Sequence, residues 1–240
     1  MISEPAQATS GAASGGTIAS MLNIIEESRR NRDIAKILVH PYSLNPPDQR
    51  SGPDGRDQQG VRFDDDARAW TAPFVMAGIN TKVVRRSHAL IGLPWGDDFR
   101  YREAVMTGKG VSGWFKAWLM TLGLGVFIFL ASMGPTRRLL QRFVLPAPGE
   151  GPDAEARERG FFNLRQFGRL PDGEIIRSRI TGDRDPGYGS TSKMLSECAV
   201  CLALDNPGSG GGIHTPASAM AEPLIRRLRN NAGLTFDILD

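Results

Sequence analysis

Apolar positions recur along this chain with two different periods. Ile18, Met21, Leu22, Ile25, Ile34, Ile37 and Leu38 repeat at helical spacing. They predict a helix that Ser14 or Thr17 can cap and Pro41 closes. Residues 1–15, rich in Ala, Ser and Gly, read as a flexible lead-in. Residues 41–70 carry Pro, Gly and Asp at loop density. A second helical pattern runs from Ala72 to Gly92, with Pro73 tolerated near its start. From Asp98 to Gly108 the period changes to two: Phe99, Tyr101 and Glu103 alternate with Arg100 and Arg102, which predicts a strand. A short charged helix is expected within 145–160. Residues 161–183 read as two strands about the turn Pro171–Gly173, a hairpin. Helices follow the Asp185–Lys193 loop and over 217–230, and Gly233–Leu239 reads as a last strand. Helices and strands do not alternate regularly. That pattern predicts an α+β fold, a mixed or largely antiparallel sheet with helices packed on it, plus one long apolar helix.

The apolar helix is expected over 113–143. From Ala117 to Thr136 no residue is charged, a length of about 30 Å as helix and enough for a bilayer core. Gly123, Gly125, Gly134, Thr121 and Ser132 interrupt it, and cations flank it at Lys116, Arg137, Arg138 and Arg142. The segment can span a membrane, fill a core, or lie against a membrane or line an acyl channel. A span would put the strand at 98–108 and the strand at 161–169 on opposite sides of the bilayer. The preferred reading is therefore a lipid-facing helix, with Trp114 and Trp118 near the interface and Leu124, Phe127, Ile128 and Phe129 toward apolar material.

Composition narrows the classes. The 240 residues are 40% hydrophobic and 23% charged, enough for one large domain or two small ones. A net charge of +3 is too small to argue for nucleic acid. No secretory signal pattern opens the sequence. The two cysteines, Cys198 and Cys201, lie well inside a predicted helix. A redox pair places its first thiolate at a helix start, and His40, His88 and His214 are too isolated to complete a zinc site. Both cysteines read as core.

Candidate chemistry concentrates at two glycine-rich helix entries. Gly187 and Gly189 precede a helix whose first N–H groups attract anions, with Ser190, Thr191 and Lys193 beside them. A capped turn explains the same residues. Tyr188 and His214 are the candidate proton donors. Residues 14–17 form a similar helix entry. Arg85 and Arg86 read as a solvated basic face or an acid-binding pair. Asp64–Asp66 read as a solvated acidic triplet without the spacing of a calcium loop. No G-x-G-x-x-G stands between a strand and a helix near the N-terminus, and Gly123 and Gly125 lack a third glycine.

Six stretches, ASGGTIASML, WTAPFVMAGINTKVVRRSHAL, DFRYREAV, RERGFF, GDRDPGYGSTSKMLSECAVCLALD and HTPASAM, occur in this order between residues 13 and 220. Together they resemble the saccharopine dehydrogenase-like oxidoreductases, trans-acting enoyl reductase branch. The resemblance implies a Rossmann half followed by a second α/β domain, with residues 16–240 similar to that substrate-side domain. It further implies NADP(H) as cofactor, with its main site on the other half, and reduction of an enoyl group on a lipid or polyketide chain. Implied partners are an acyl substrate, a membrane surface, and a separate nucleotide-binding half or a second copy. The implied location is cytoplasmic, peripheral to the plasma membrane. The competing reading is a non-enzymatic lipid- or membrane-binding module.

Overall fold

The computed structural model describes residues 2–3, 15–147, 149–205 and 207–239, with residues 2–3 given as backbone only. Most of the expected flexible lead-in, together with the candidate cap Ser14, lies outside the described residues. The helices are α1 (Gly15–Arg30), α2 (Arg32–Val39), α3 (Ala77–Leu90), α4 (Gly110–Ser132), α5 (Gly134–Phe143), α6 (Ala154–Arg159), α7 (Gly189–Leu204) and α8 (Pro216–Asn231). The strands are β1 (Ile2–Ser3), β2 (Arg62–Asp64), β3 (Ala69–Pro73), β4 (Ala104–Gly108), β5 (Phe162–Arg169), β6 (Ile175–Gly182) and β7 (Leu234–Leu239).

Their order across the sheet is β2-β3-β4-β1-β5-β6-β7. Two antiparallel groups, β2-β3-β4 and β5-β6-β7, meet at the two-residue β1. That strand runs parallel to β4 and antiparallel to β5. The fold is therefore α+β with a mixed, largely antiparallel sheet and one long apolar helix. The β5–β6 hairpin pairs from Phe162↔Gly182 to Arg169↔Ile175. Its turn closes through Gly173, whose N–H donates to the Leu170 carbonyl at 3.0 Å and whose φ is +92°. Glycine adopts that conformation without steric cost.

Several boundaries differ from the periodicity reading. The first helix breaks at Asn31, whose side chain accepts the N–H groups of Asp33 (2.8 Å) and Ile34 (3.4 Å) and so starts α2 as a new helix. Strands β2 and β3 lie within stretches read as loop and helix start. They are three and five residues long, held by pairing with each other and β4 rather than by alternation. The strand expected over 98–108 is a ladder only from Ala104; the N–H of Tyr101 instead donates to the Asp54 carboxylate at 3.2 Å. The expected single helix 113–143 is two, α4 and α5. Met133 between them is extended, and Pro135 sits in the first turn of α5.

The main apolar core lies where β5 and β7 meet α7 and α8, among Phe162, Cys201, Met220, Leu224, Leu228 and Leu234. A smaller cluster joins Ile18 and Leu22 of α1 to Ala131 of α4. The block around β3, β4 and α3 is filled differently, by polar groups.

Candidate functional site

Helix α3 turns a polar stripe inward. Thr81, Lys82, Arg85, Ser87 and His88 are all buried, and their spacing places most of them on one helical face. Arg85 is the hub. Its Nε donates to the Asp54 carboxylate at 2.7 Å, and its terminal nitrogens donate to the carbonyls of Pro41 (3.2 Å) and Tyr101 (2.9 Å). The Tyr42 ring lies under the guanidinium at 5.5 Å. The Tyr42 hydroxyl accepts the N–H of Asp54 at 2.9 Å. Arg85, read as part of a solvated basic face, is thus a buried strut that ties the 41–57 loop to the start of β4. Arg86 is half-buried and donates to the carbonyls of Leu44 and Ile213.

Beside Arg85 lies a second buried group. Glu103 is 2% exposed; its carboxylate accepts from Asn80 Nδ2 and from the Tyr101 hydroxyl, each at 3.0 Å. Burial pushes the Glu103 carboxyl above its ordinary value, against the pull of those two donors. Burial and the Glu103 carboxylate together hold the Tyr101 phenol well above the usual tyrosine range. Lys82 is buried, donating to the carbonyls of Leu38 (2.6 Å) and Gly78 (2.8 Å), and burial lowers its pKa. The alternation of Tyr101 with Glu103 and the α3 spacing were both visible in the sequence. Nothing local marked those residues as buried.

A cleft of about 310 Å³ opens next to this network, lined by Tyr42, Asn45, Gln49, Arg85, His88 and Phe99 among others. His88 stacks on Trp95 at 5.1 Å between ring centroids and leans on Phe99 at 4.6 Å. A carbonyl can only accept, so His88 Nε2 donates to Gly96 at 2.9 Å, while Nδ1 is buried with no hydrogen-bond partner among the described residues. The cleft offers an aromatic wall and a polar floor. Tyr101 and Glu103 are not among its lining residues.

The residues singled out for cofactor binding lie elsewhere, at a second cleft of about 320 Å³ between α6 and the start of α7. Arg157, Glu158, Arg184, Tyr188, Gly189 and Lys193 line it. The Asp185 carboxylate accepts the N–H groups of Tyr188 (2.7 Å) and Gly189 (3.3 Å), and the Asp185 carbonyl accepts that of Ser190 (2.8 Å). Ser190 is fully buried and donates to the Arg184 carbonyl at 2.9 Å. Lys193 is held by Asp183 at 2.8 Å and by the Ala232 carbonyl at 3.3 Å. Gly187 lies in the turn before the helix. As placed, this helix start does not fit a dinucleotide pyrophosphate: a carboxylate of the chain itself stands where the phosphate would.

The other candidates are dispersed. His214 is exposed, and no hydrogen bond holds its ring among the described residues. Its neighbour Thr215 is buried and caps α8. Thr17 lies inside α1. Two of the acidic triplet are structural rather than solvated: Asp64 is 1% exposed and pairs with Arg102, and Asp66 pairs with Arg169, while Asp65 is exposed. Cys201 is buried in the main core and Cys198 packs against it, both as free thiols. Burial raises both thiols above their ordinary value.

Helix α4 is long and apolar enough to cross a membrane, yet only 11% of its apolar window is buried. Gly113, Ala117 and Ala131 are its buried residues. Of the expected lipid-facing residues, Trp114, Trp118, Ile128 and Phe129 are exposed, while Leu124 and Phe127 lie half-buried on the inward stripe. Val111, Phe115, Leu119, Leu122 and Val126 extend the exposed surface. The helix is neither a core helix nor wrapped by the chain.

Over 229 residues the sequence is 38% identical to a Mycobacterium tuberculosis protein named "Putative trans-acting enoyl reductase", a match covering 91% of this chain and 54% of that protein. It is 31% identical over 229 residues to "Trans-acting enoyl reductase" of Mycobacterium bovis (90% and 54% of the two chains). The homologue of that name in Mycobacterium ulcerans is 30% identical over 227 residues, with the same two shares. The homologues carry the enoyl reductase name. The chain spans about half the length of these curated relatives. No family model matches the sequence, and no solved structure matches it significantly.

Proposed function

We propose that this chain is the acyl-side portion of an NADP-dependent enoyl reductase acting on lipid or polyketide chains. The relationship to the trans-acting enoyl reductases, 38% identity over 91% of the chain, carries the reading. The exposed apolar face of α4 supports it, because a long acyl chain needs an apolar surface that the fold itself leaves uncovered. NADP(H) would supply the hydride. In this reading its site lies on a nucleotide-binding half, which is supported by the closure of the α7 start, the candidate phosphate cradle of this chain, by Asp185. Within this chain, α4 holds the alkyl tail and the second cleft receives the polar head. Tyr188, 40% exposed on that cleft, delivers the proton to the carbon next to the thioester. His214, the other candidate donor, does not line that cleft. The protein works on the cytoplasmic side, peripheral to the plasma membrane.

Titration of the purified chain with 2-enoyl thioesters of increasing length tests the reading, followed by the fluorescence of Trp114 and Trp118. Affinity rising with chain length, and higher for the thioester than for the free fatty acid, is the expected result. Equal affinity for both favours the second reading, a lipid-binding module without chemistry, which the exposure of α4 alone would also explain. Absence of any acyl binding removes both.

A further inference from the structure

Charge along the segment that carries the apolar surface is one-sided in the sequence. From Ala104 to Gly149 the sequence contains no Asp or Glu, but five cations: Lys109, Lys116, Arg137, Arg138 and Arg142. Arg137 is neutralised by Glu26 at 3.0 Å. The other four are exposed, and among the described residues none of them pairs with a carboxylate. On α5, Leu139 and Phe143 are four apart and share one ridge, while Arg138 and Arg142 share the adjacent one. Leu139 is 59% exposed and Phe143 is 69% exposed. An apolar ridge beside a basic one is the pattern of a helix lying in a lipid headgroup layer.

Helix α4 is attached to the folded body near both ends. Gly113 and Ala117 pack at its start, where the Thr107 hydroxyl of β4 donates to the Gly113 carbonyl at 2.8 Å. Ala131 packs at its end on Ile18 and Leu22 of α1. Eighteen residues separate Gly113 from Ala131, about 27 Å of helix. The helix therefore lies along the body and presents its outer face sideways.

We propose that α4 and α5 together form an in-plane docking surface for an anionic lipid bilayer. The outer face of α4 enters the acyl boundary, and Lys109, Lys116, Arg138 and Arg142 meet the headgroup phosphates. Charge complementarity selects this occupant: a second copy of the chain would set four unpaired cations against four more. The inference rests on the lipid-facing reading of α4 and adds its partner.

Flotation of the purified chain with vesicles tests it. One set is phosphatidylcholine and the other is phosphatidylcholine with phosphatidylglycerol. The chain should float with the anionic vesicles at low salt, bind the zwitterionic ones weakly, and be released from the anionic ones by salt. Each basic residue near an anionic surface contributes about fivefold in binding, so Arg138→Gln with Arg142→Gln should weaken anionic binding on the order of twentyfold. Both residues are exposed, and an unchanged circular dichroism spectrum confirms the fold of the variant. Equal binding to the two vesicle types, or no loss in the variant, overturns the proposal. So does a failure to float accompanied by concentration-dependent dimerisation, which would assign the face to a second copy. The thioester titration uses no vesicles, so failure of bilayer docking is read separately from failure of acyl binding.

Discussion

Glu103 shows how a single buried side chain sets a pH dependence. Its carboxyl is raised above the ordinary value, chiefly by burial, so folding favours the protonated form. The associated stability is complete below the unfolded glutamate pKa and is lost as pH rises through the folded one. Glu103→Gln removes the titration and keeps an oxygen to accept from Tyr101. Its thermal midpoint relative to the unsubstituted protein should therefore improve as pH rises from the unfolded glutamate pKa through the raised folded one, and level off above it. A difference independent of pH would show that folding leaves this carboxyl unperturbed. Cys201 supplies a second expectation. It is fully buried, and its thiol is raised by burial and by Asp205, so thiolate is scarce and shielded. Iodoacetamide should modify Cys201 only on unfolding, with Cys198 reacting earlier; fast native-state labelling of both would restore a reactive pair. The sequence placed both cysteines in the core, because they lie well inside a helix, lack further metal ligands, and cysteine is usually buried. It could not show Glu103 as buried, because its partner Asn80 lies 23 residues before it in the chain and only the fold brings the two together.

At the scale of elements, α4 depends on one close approach. Gly113 lies against the backbone of Gly108, and a Cβ at Gly113 would collide with the Gly108 carbonyl. Gly113→Ala should cost about 1–3 kcal/mol, the usual range for overpacking a tight contact. The loss is measurable by urea unfolding. Gly123→Ala, where a Cβ meets nothing within 4 Å, should be neutral or slightly stabilising through helix propensity. Equal losses in the two variants would mean that the α4–β4 contact contributes nothing. Elements with strong local signals were legible: the hairpin with its Pro171–Gly173 turn, α7, α8 and the long apolar helix. The missed ones had signals too short or too local to register as periodicity. Strand β2 has three residues, and the breaks at Asn31 and Met133 come from single-residue backbone choices inside otherwise helical patterns.

The whole molecule divides its stability between two kinds of interior. The β5–β7 side, with α7 and α8, encloses the main apolar cluster. The β2–β4 side, with α3, is held by Arg85, Asp54, Lys82 and Glu103. Among the described residues, the sides are joined by the two-residue β1, the buried Ser87–Thr215 hydroxyl pair at 2.8 Å, Arg86 on the Ile213 carbonyl, and the Asp66–Arg169 ion pair. Such a join lets one side open without the other. The division follows function as proposed above, since α4 rests on the polar side and the Tyr188 cleft on the apolar side. Motion at the join would change how an acyl tail on α4 meets a head group near Tyr188. Leu228→Ala, in the main cluster, should lose about 2–5 kcal/mol, as large-to-small core changes do. In native-state hydrogen exchange that loss should appear in β5, β6, β7, α7 and α8. Amides of α3, β3 and β4 should keep their protection. Uniform loss across both sides would show one cooperative unit and would remove the join as a site of motion.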